Sequence, residues 1–195
     1  MVPCSRLNAA ESIYCAAEKR LNVSSRIAWG VSGAGHFLGE VADLLQEIQD
    51  VDLFLSKAAE EVIKSYHLQT MLSGKVHKVF YDHAASAPEV NKLYLGYYRL
   101  AVVAPATSNS VAKFAYGISD NLVTNLFAHA GKARIPILVL PTDVAPELSS
   151  PAPGGRVQVY PRQIDQENVK RLEAFDGVSV VKDLKSLKLC LNTYL

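Results

Sequence analysis

RIAWGVSGAGHFLGEVADLLQEIQ (residues 26–49) divides into three parts. RIAWGV is a continuous apolar run with the length and β character of a buried strand, whereas HFLGEVADLLQEIQ repeats its apolar residues at helical spacing. Between them lie Gly33, Ala34 and Gly35, so the stretch predicts a strand-to-helix turn made of small residues. Such residues let a ligand approach the backbone. A helix start adds unpaired N–H groups and a partial positive charge, and together these suit a phosphate.

The same alternation continues along the chain. VDLFLS (51–56) and KAAEEVIKSYHLQTML (57–72) read as a second strand and helix, followed by a short apolar stretch, VHKVFY (76–81). RLAVVAPA (99–106) and IPILVLP (135–141) are further apolar runs, separated by NSVAKFAYGISDNLVTNLFAHAGKA (109–133), which is helical in spacing with a break at Gly117. LSSPAPGG (148–155) is a loop by composition, and VQVYP, DQENVKRLEAF, VSVV and DLKSLKLCLNTYL repeat the alternation to the C-terminus. The expectation is a three-layer α/β fold, a parallel sheet covered by helices on both faces.

Composition narrows the functional classes. With 195 residues, 49% of them hydrophobic, the chain can bury one core, and a single domain over residues 25–195 is expected. Residues 1–24 read as an N-terminal helical extension or tail, since Asn8 and Glu11 stand at capping-box spacing; Glu11 and Glu18 argue against a transit peptide. Lys plus Arg (20) balance Asp plus Glu (19) without a basic stripe, which speaks against nucleic acid as a partner. Cys4, Cys15 and Cys190 form no CxxC pair, and His67, His77, His83 and His129 show no ligand spacing, so no metal site is expected. The absence of a long apolar run or secretory leader leads to the expectation of a soluble, cytoplasmic protein without membrane contact.

Ligands of open parallel sheets bind at the carboxyl ends of the strands. Those ends read GVSGAG, FLSKAA, VAPATSNS and LPTDVAP, rich in small and hydroxyl-bearing residues and poor in fixed charge. A dinucleotide fingerprint needs GxGxxG and an acidic residue ending the second strand; here Gly33, Gly35 and Gly39 are spaced one residue too widely, and the strand ends in Ser56 and Lys57. No Walker A string exists, so a mononucleotide remains.

In that order, GVSGAG, LSKAAE, APATSNSVAKFAYGISDNLVTNLF and IPILVLP resemble the homo-oligomeric FMN flavoproteins related to cysteine decarboxylases, over about residues 26–145. The resemblance implies a flavodoxin-like (Rossmann-like) fold with FMN at a subunit interface, within trimers that assemble further. It implies FMN contacts from Gly30, Ser32 (as hydroxyl donor), Gly33, Ala34 and Gly35, from Ser56, and from Pro105, Ala106, Thr107, Ser108, Asn109 and Ser110. It also implies a contact from GISDNL, with Asp120 and Asn121, although these two residues equally suit the interruption and recapping of a helix.

Departures from the family pattern are informative. By counting back from Ala104-Pro105, Asn91 stands where the decarboxylases carry a catalytic His, and LPTD, with Thr142 and Asp143, replaces their Pro-Ala-Met-Asn segment. Asn cannot exchange a proton near neutral pH, so decarboxylation loses its acid–base group. Flavin prenyltransferases share GVSGA and GISDNL but carry an Arg-Glu pair where Thr142 and Asp143 stand; Arg156, Tyr160 and Arg162 keep an anionic substrate open as an alternative. AWGVSGAGHFL, LPTD and VYPRQIDQENVKRLEAFDGVSVV are most similar to the branch of dihydromethanopterin reductase and the archaeal electron-transfer flavoproteins.

That similarity implies an oxidoreductase in which reduced FMN reduces dihydromethanopterin, or a related dihydropterin, to the tetrahydro carrier of one-carbon metabolism. An electron carrier between proteins is the alternative. The electron donor stays open among NADPH, ferredoxin and another flavoprotein, and no catalytic side chain is assigned because the flavin supplies the chemistry. His36, Thr142 and Asp143 are the candidate substrate contacts, with Asp143 a suitable acceptor for the amino-pyrimidinone edge of a pterin; capping, packing and turn roles suit them equally.

Overall fold

The computed structural model describes residues 26–84 and 86–195; the extension expected over residues 1–24 lies outside them. In chain order the elements are β1 (Arg26–Val31), α1 (Leu38–Glu47), β2 (Val51–Leu55), α2 (Lys57–Ser65), β3 (Val76–Tyr81), β4 (Tyr98–Ala106), α3 (Ser108–Ala115), α4 (Leu122–Lys132), β5 (Ile137–Pro141), β6 (Leu148–Ala152), β7 (Gly155–Val159), α5 (Gln163–Glu173), β8 (Val178–Val180) and α6 (Leu184–Asn192). Short 3-10 turns cover Gln69–Leu72 and Pro88–Leu93.

Six strands pair in the order β3-β2-β1-β4-β5-β8, all parallel. Period-two alternation divides the side chains between the faces. From β1, Ile27, Trp29 and Val31 enter a core with Leu38, Val41 and Leu45 of α1, Ile63 of α2 and Leu187 of α6; Ala28 faces the other core, with Val111 of α3, Val123 of α4 and Leu172 of α5. Trp29 is wholly buried, and its indole N–H donates to the Ala104 carbonyl at 2.8 Å, so it is a core residue. The three-layer, flavodoxin-like α/β expectation is met. The chain reverses its direction of travel across the sheet between β1 and β4, which opens a crevice at their carboxyl ends.

One expectation fails in the C-terminal third. LSSPAPGG is not a loop and VQVYP adds no strand to the parallel sheet; β6 and β7 form a separate antiparallel hairpin turning at Pro153 and Gly154. A strand inside the parallel sheet would be buried on both sides, whereas Arg156, Val157 and Gln158 are exposed. Arg156 ties the two strands together, its guanidinium donating to the Ser149 hydroxyl at 2.9 Å and the Ser149 carbonyl at 2.7 Å.

The amino ends of the strands carry a buried polar cluster. Asp52 of β2 is fully enclosed and accepts from the Tyr98 hydroxyl at 2.7 Å and from His77 Nδ1 at 2.8 Å, while Arg26 donates to His77 Nε2 at 2.9 Å and stands 3.8 Å from the carboxylate. Burial and this carboxylate push the Tyr98 phenol far above its usual range, so it stays a donor. Among the described residues no helix is long and apolar enough to cross a membrane.

Candidate functional site

At the carboxyl ends of β2, β1 and β4 lies a cleft of about 350 Å³ lined by Ser32, Gly33, Ser56, Lys57, Ala58, Asp82, Thr107, Asn109, Ser110 and Asn121. Its walls are the starts of three helices. Ser56 caps α2, its hydroxyl accepting from the Ala59 N–H at 3.1 Å; Thr107 caps α3, accepting from the Ser110 N–H at 3.2 Å; Asn121 caps α4, accepting from the Thr124 N–H at 3.0 Å. In each first turn the leading N–H groups have no intrahelical acceptor, and each helix adds roughly half a positive charge at that end. Lys57 contributes a full charge. The cleft thus gathers three helix N-termini and Lys57, with the Asp82 carboxylate on the same lining engaged by the Leu122 N–H.

The helix expected to supply that end does not. The apolar spacing of HFLGEVADLLQEIQ predicts a helix from His36, but α1 starts at Leu38, and its cap, Phe37, is left-handed (φ 64°) with no capping side chain. None of the residues of α1 lines the cleft.

The small residues of the loop serve packing first. A Cβ at Gly33 would meet the Ala58 Cβ at 2.5 Å and its carbonyl carbon at 3.0 Å; a Cβ at Gly30 would meet Leu126 and Val123 at 3.1 and 3.2 Å. At Gly35 a side chain would collide with the Tyr66 ring, whose hydroxyl donates to the Pro151 carbonyl of β6 at 2.8 Å. Glycine therefore lets β1 lie against α4 and the loop after it against α2, and lets Tyr66 approach that loop while holding the hairpin.

Ser32 is also recast. Its hydroxyl donates to the Pro105 carbonyl at 2.9 Å and accepts from the Thr107 N–H at 2.8 Å, so this lining residue also straps β1 to β4 across the crevice. Ser32→Ala leaves the Thr107 N–H unpaired at the floor of the cleft and is expected to destabilise the fold by about 1–3 kcal/mol. Denaturant titration of the two proteins checks this, and an unchanged midpoint would show that water replaces the hydroxyl.

Of the residues expected to touch a cofactor, Ser32, Gly33, Ser56, Thr107, Asn109, Ser110 and Asn121 come together around the cleft. Gly30, Pro105 and Ala106 belong to the strands beneath it, and Ala34, Gly35 and Ser108 are loop or helix neighbours of the lining. Asp120 does not line it. Its carboxylate receives Lys113 Nζ at 2.7 and 2.9 Å, which holds it below the usual carboxylate range, and Thr124 completes a capping box with Asn121. Asp120 is thus paired with Lys113, while Asn121 both caps α4 and faces the cleft.

Lys57, Ala58 and Asp82 were not foreseen as lining residues. Lys57 follows Ser56 directly, so the strand-end rule that found Ser56 could have found it. Asp82 sits at the end of β3 and accepts from the Leu122 N–H at 3.0 Å, a partner 40 residues away that no local pattern reveals.

His36, Thr142 and Asp143 stand apart from the cleft. His36 packs on Phe37 with ring centroids 4.0 Å apart, and its Nδ1 is enclosed without a partner. Burial lowers its pKa below 6.5 despite the opposing charges of Glu40 and Asp143; Arg156 acts with the burial. Thr142 donates to Asp143 Oδ2 at 3.1 Å. Among the described residues no group of His, Cys, Asp or Glu is arranged to hold a metal ion.

A family profile described as Flavoprotein matches residues 15–193. The chain belongs to the flavoprotein family. An uncharacterised protein of Methanocaldococcus jannaschii is 40% identical to this flavoprotein over 164 residues, 80% of this chain and 88% of the relative. A dihydromethanopterin reductase (acceptor) of Methanosarcina mazei is 37% identical over 161 residues, 76% of this chain; the matched part is 64% of that enzyme's length. Among solved structures, DmrB of Burkholderia xenovorans in complex with FMN, described as a cubic protein cage for redox transfer, superposes with a TM-score of 0.80 at 42% identity, covering 89% of this chain and 96% of DmrB.

Proposed function

We propose that this flavoprotein binds FMN with its phosphate in the three-helix cleft and acts as an oxidoreductase that reduces dihydromethanopterin, or a related dihydropterin, to the tetrahydro form. The observation that carries the cofactor reading is the convergence of the N-termini of α2, α3 and α4, with Lys57, on one cleft. A phosphate dianion there meets several backbone N–H donors and one cation, the Asp82 carboxylate being occupied by the Leu122 N–H, while the capping hydroxyls of Ser56 and Thr107 keep the N–H groups in place. The donor set fits a mononucleotide. The likeness to DmrB, solved with FMN at 42% identity, supports the same choice.

FMN supplies hydride chemistry when bound. The chain's part is to fix the phosphate, with His36, Thr142 and Asp143 as the candidate contacts for the acceptor. The likeness to the Methanosarcina mazei reductase supports a dihydropterin as that acceptor and tetrahydropterin-dependent one-carbon metabolism as its setting. Tyr116 and Ile118, in the segment leading to Asn121, are exposed apolar side chains, as suits a contact between copies, and a trimer-based homo-oligomer is the proposed assembly.

An anaerobic spectrum tests this reading. The purified protein is expected to carry flavin absorbance and, once reduced, to reoxidise rapidly on addition of dihydromethanopterin. Flavin that is present but inert to the pterin would favour an electron carrier, or a prenyltransferase acting on an anionic substrate near Arg156. A colourless chain that takes up no FMN would overturn the cleft assignment.

A further inference from the structure

The three helix starts around the cleft are not equivalent. At α2 the Ala59 N–H goes to the Ser56 hydroxyl and at α3 the Ser110 N–H goes to the Thr107 hydroxyl, which leaves the N–H groups of Lys57, Ala58, Ser108 and Asn109 without an acceptor among the described residues. At α4 side chains take the corresponding groups: Asp82 Oδ1 accepts from the Leu122 N–H at 3.0 Å, Asn121 Oδ1 from the Thr124 N–H at 3.0 Å, and Thr124 Oγ1 from the Asn121 N–H at 2.9 Å. The N–H of Val123 is left, and Val123 does not line the cleft. The starts of α2 and α3 therefore attract an anion, while the wall at α4 presents a carboxylate.

Resting on the placement of the FMN phosphate in this cleft, we propose that Asp82 is a specificity-determining residue: the phosphate sits between the starts of α2 and α3, and Asp82 Oδ2 accepts a hydrogen bond from a hydroxyl of the polyol chain that carries it.

Asp82 shares the lining with Lys57, Asn109 and Asn121, so its carboxylate and the anion seat open on the same space. Oδ1 is committed to α4, a bond that also ties the end of β3 to that helix, and Oδ2 has no partner among the described residues. The amide of Asn121, the other α4 residue on the lining, is engaged at both ends, Oδ1 by Thr124 and Nδ2 by Asp120 at 3.2 Å. The open polar atom of this wall is thus a carboxylate oxygen. An ionised carboxylate accepts and cannot donate, so it bonds an O–H and repels a phosphate oxygen. In FMN the phosphate and the chain hydroxyls lie on neighbouring carbons, and one ligand satisfies both walls. A phosphate on a bare alkyl chain offers Asp82 no donor and leaves the repulsion unopposed.

The test titrates three ligands into the flavin-free full chain and follows flavin fluorescence: FMN, riboflavin, and the ω-phosphopentyl analogue of FMN, which keeps the ring system and the phosphate without the chain hydroxyls. The unaltered protein is expected to bind FMN about tenfold or more tighter than the analogue, as a hydrogen bond to a charged group provides. Asp82→Asn keeps an oxygen for the Leu122 N–H and puts a neutral amide nitrogen in place of Oδ2. It is expected to reduce the preference for FMN over the analogue about fivefold, with the analogue bound at least as tightly as by the parent because the repulsion is gone. Loss of a purely capping role would instead weaken both ligands alike.

A parent protein that binds FMN and the analogue equally, a result that needs no variant, would overturn the inference while leaving the phosphate placement intact. So would an Asp82→Asn protein that keeps the full preference or weakens both ligands by the same factor. Riboflavin bound by the parent as tightly as FMN would overturn the phosphate placement and the inference together.

Discussion

Gly33→Leu is expected to yield a chain that still folds but retains no FMN. The reason is the contact with Ala58, whose Cβ and carbonyl carbon would stand 2.5 and 3.0 Å from any Cβ at this position. Backbone atoms at the start of α2 cannot rotate aside, so the loop after β1 must lift from the helix and take one wall of the cleft with it. Even Gly33→Ala should weaken FMN binding about tenfold or more, equivalent to roughly 1.4 kcal/mol, and overpacking of this kind destabilises by about 1–3 kcal/mol.

The companion change Ala58→Gly removes the Cβ–Cβ overlap but leaves the approach to the Ala58 carbonyl, so the double variant should regain part of the affinity. Flavin content after gel filtration and FMN titration of the apoprotein read the effect. Full flavin retention in Gly33→Leu would show that the loop can move without opening the cleft. The small residues in VSGAG therefore affect the ligand through the fold: they permit close packing, and the packing places the N–H groups.

The second large effect is expected at the opposite end of the sheet. Asp52→Ala should destabilise the protein by about 3 kcal/mol or more, the range for breaking a buried charge pair from one side. Its loss leaves the wholly buried Tyr98 hydroxyl without an acceptor, which alone costs about 1–3 kcal/mol, and opens a void between β2 and β4. His77 and Arg26, being partly exposed, recover water when the carboxylate is gone.

Tyr98→Phe should cost less, because Asp52 keeps His77 and Arg26, and a double-mutant cycle should give a coupling of the same sign. Chemical denaturation measures both. FMN titration of the folded fraction should be unchanged, since the cluster and the cleft lie at opposite ends of the strands. A parallel loss of FMN affinity would show that the two ends are coupled through the sheet.

Local pattern made much of the architecture legible. Continuous apolar runs marked β1, β2, β4 and β5, and helical spacing marked α1 to α6, because burial on both faces and burial on one stripe leave different periods. Ser56, Thr107 and Asn121 were legible as helix starts for the same local reason: a capping side chain bonds a backbone N–H two or three residues away. The hairpin was not legible. Leu148–Ala152 contains two serines and a proline and resembles a loop until Gly155–Val159 folds back to pair with it.

By itself, then, the sequence determined the alternation of strands and helices, the balance of charge, and the hydroxyl-rich, charge-poor strand ends on which the FMN reading rests; all of these depend on residues close together in the chain. Only the tertiary structure decided which helix starts form the cleft and which glycines serve contacts with Ala58, Tyr66 and Leu126. It also decided that the Ser32 hydroxyl bridges the Pro105 carbonyl and the Thr107 N–H, 73 and 75 residues away. Each of these depends on an approach between distant segments, and van der Waals contacts and hydrogen bonds act over a few ångströms of space whatever the separation along the chain.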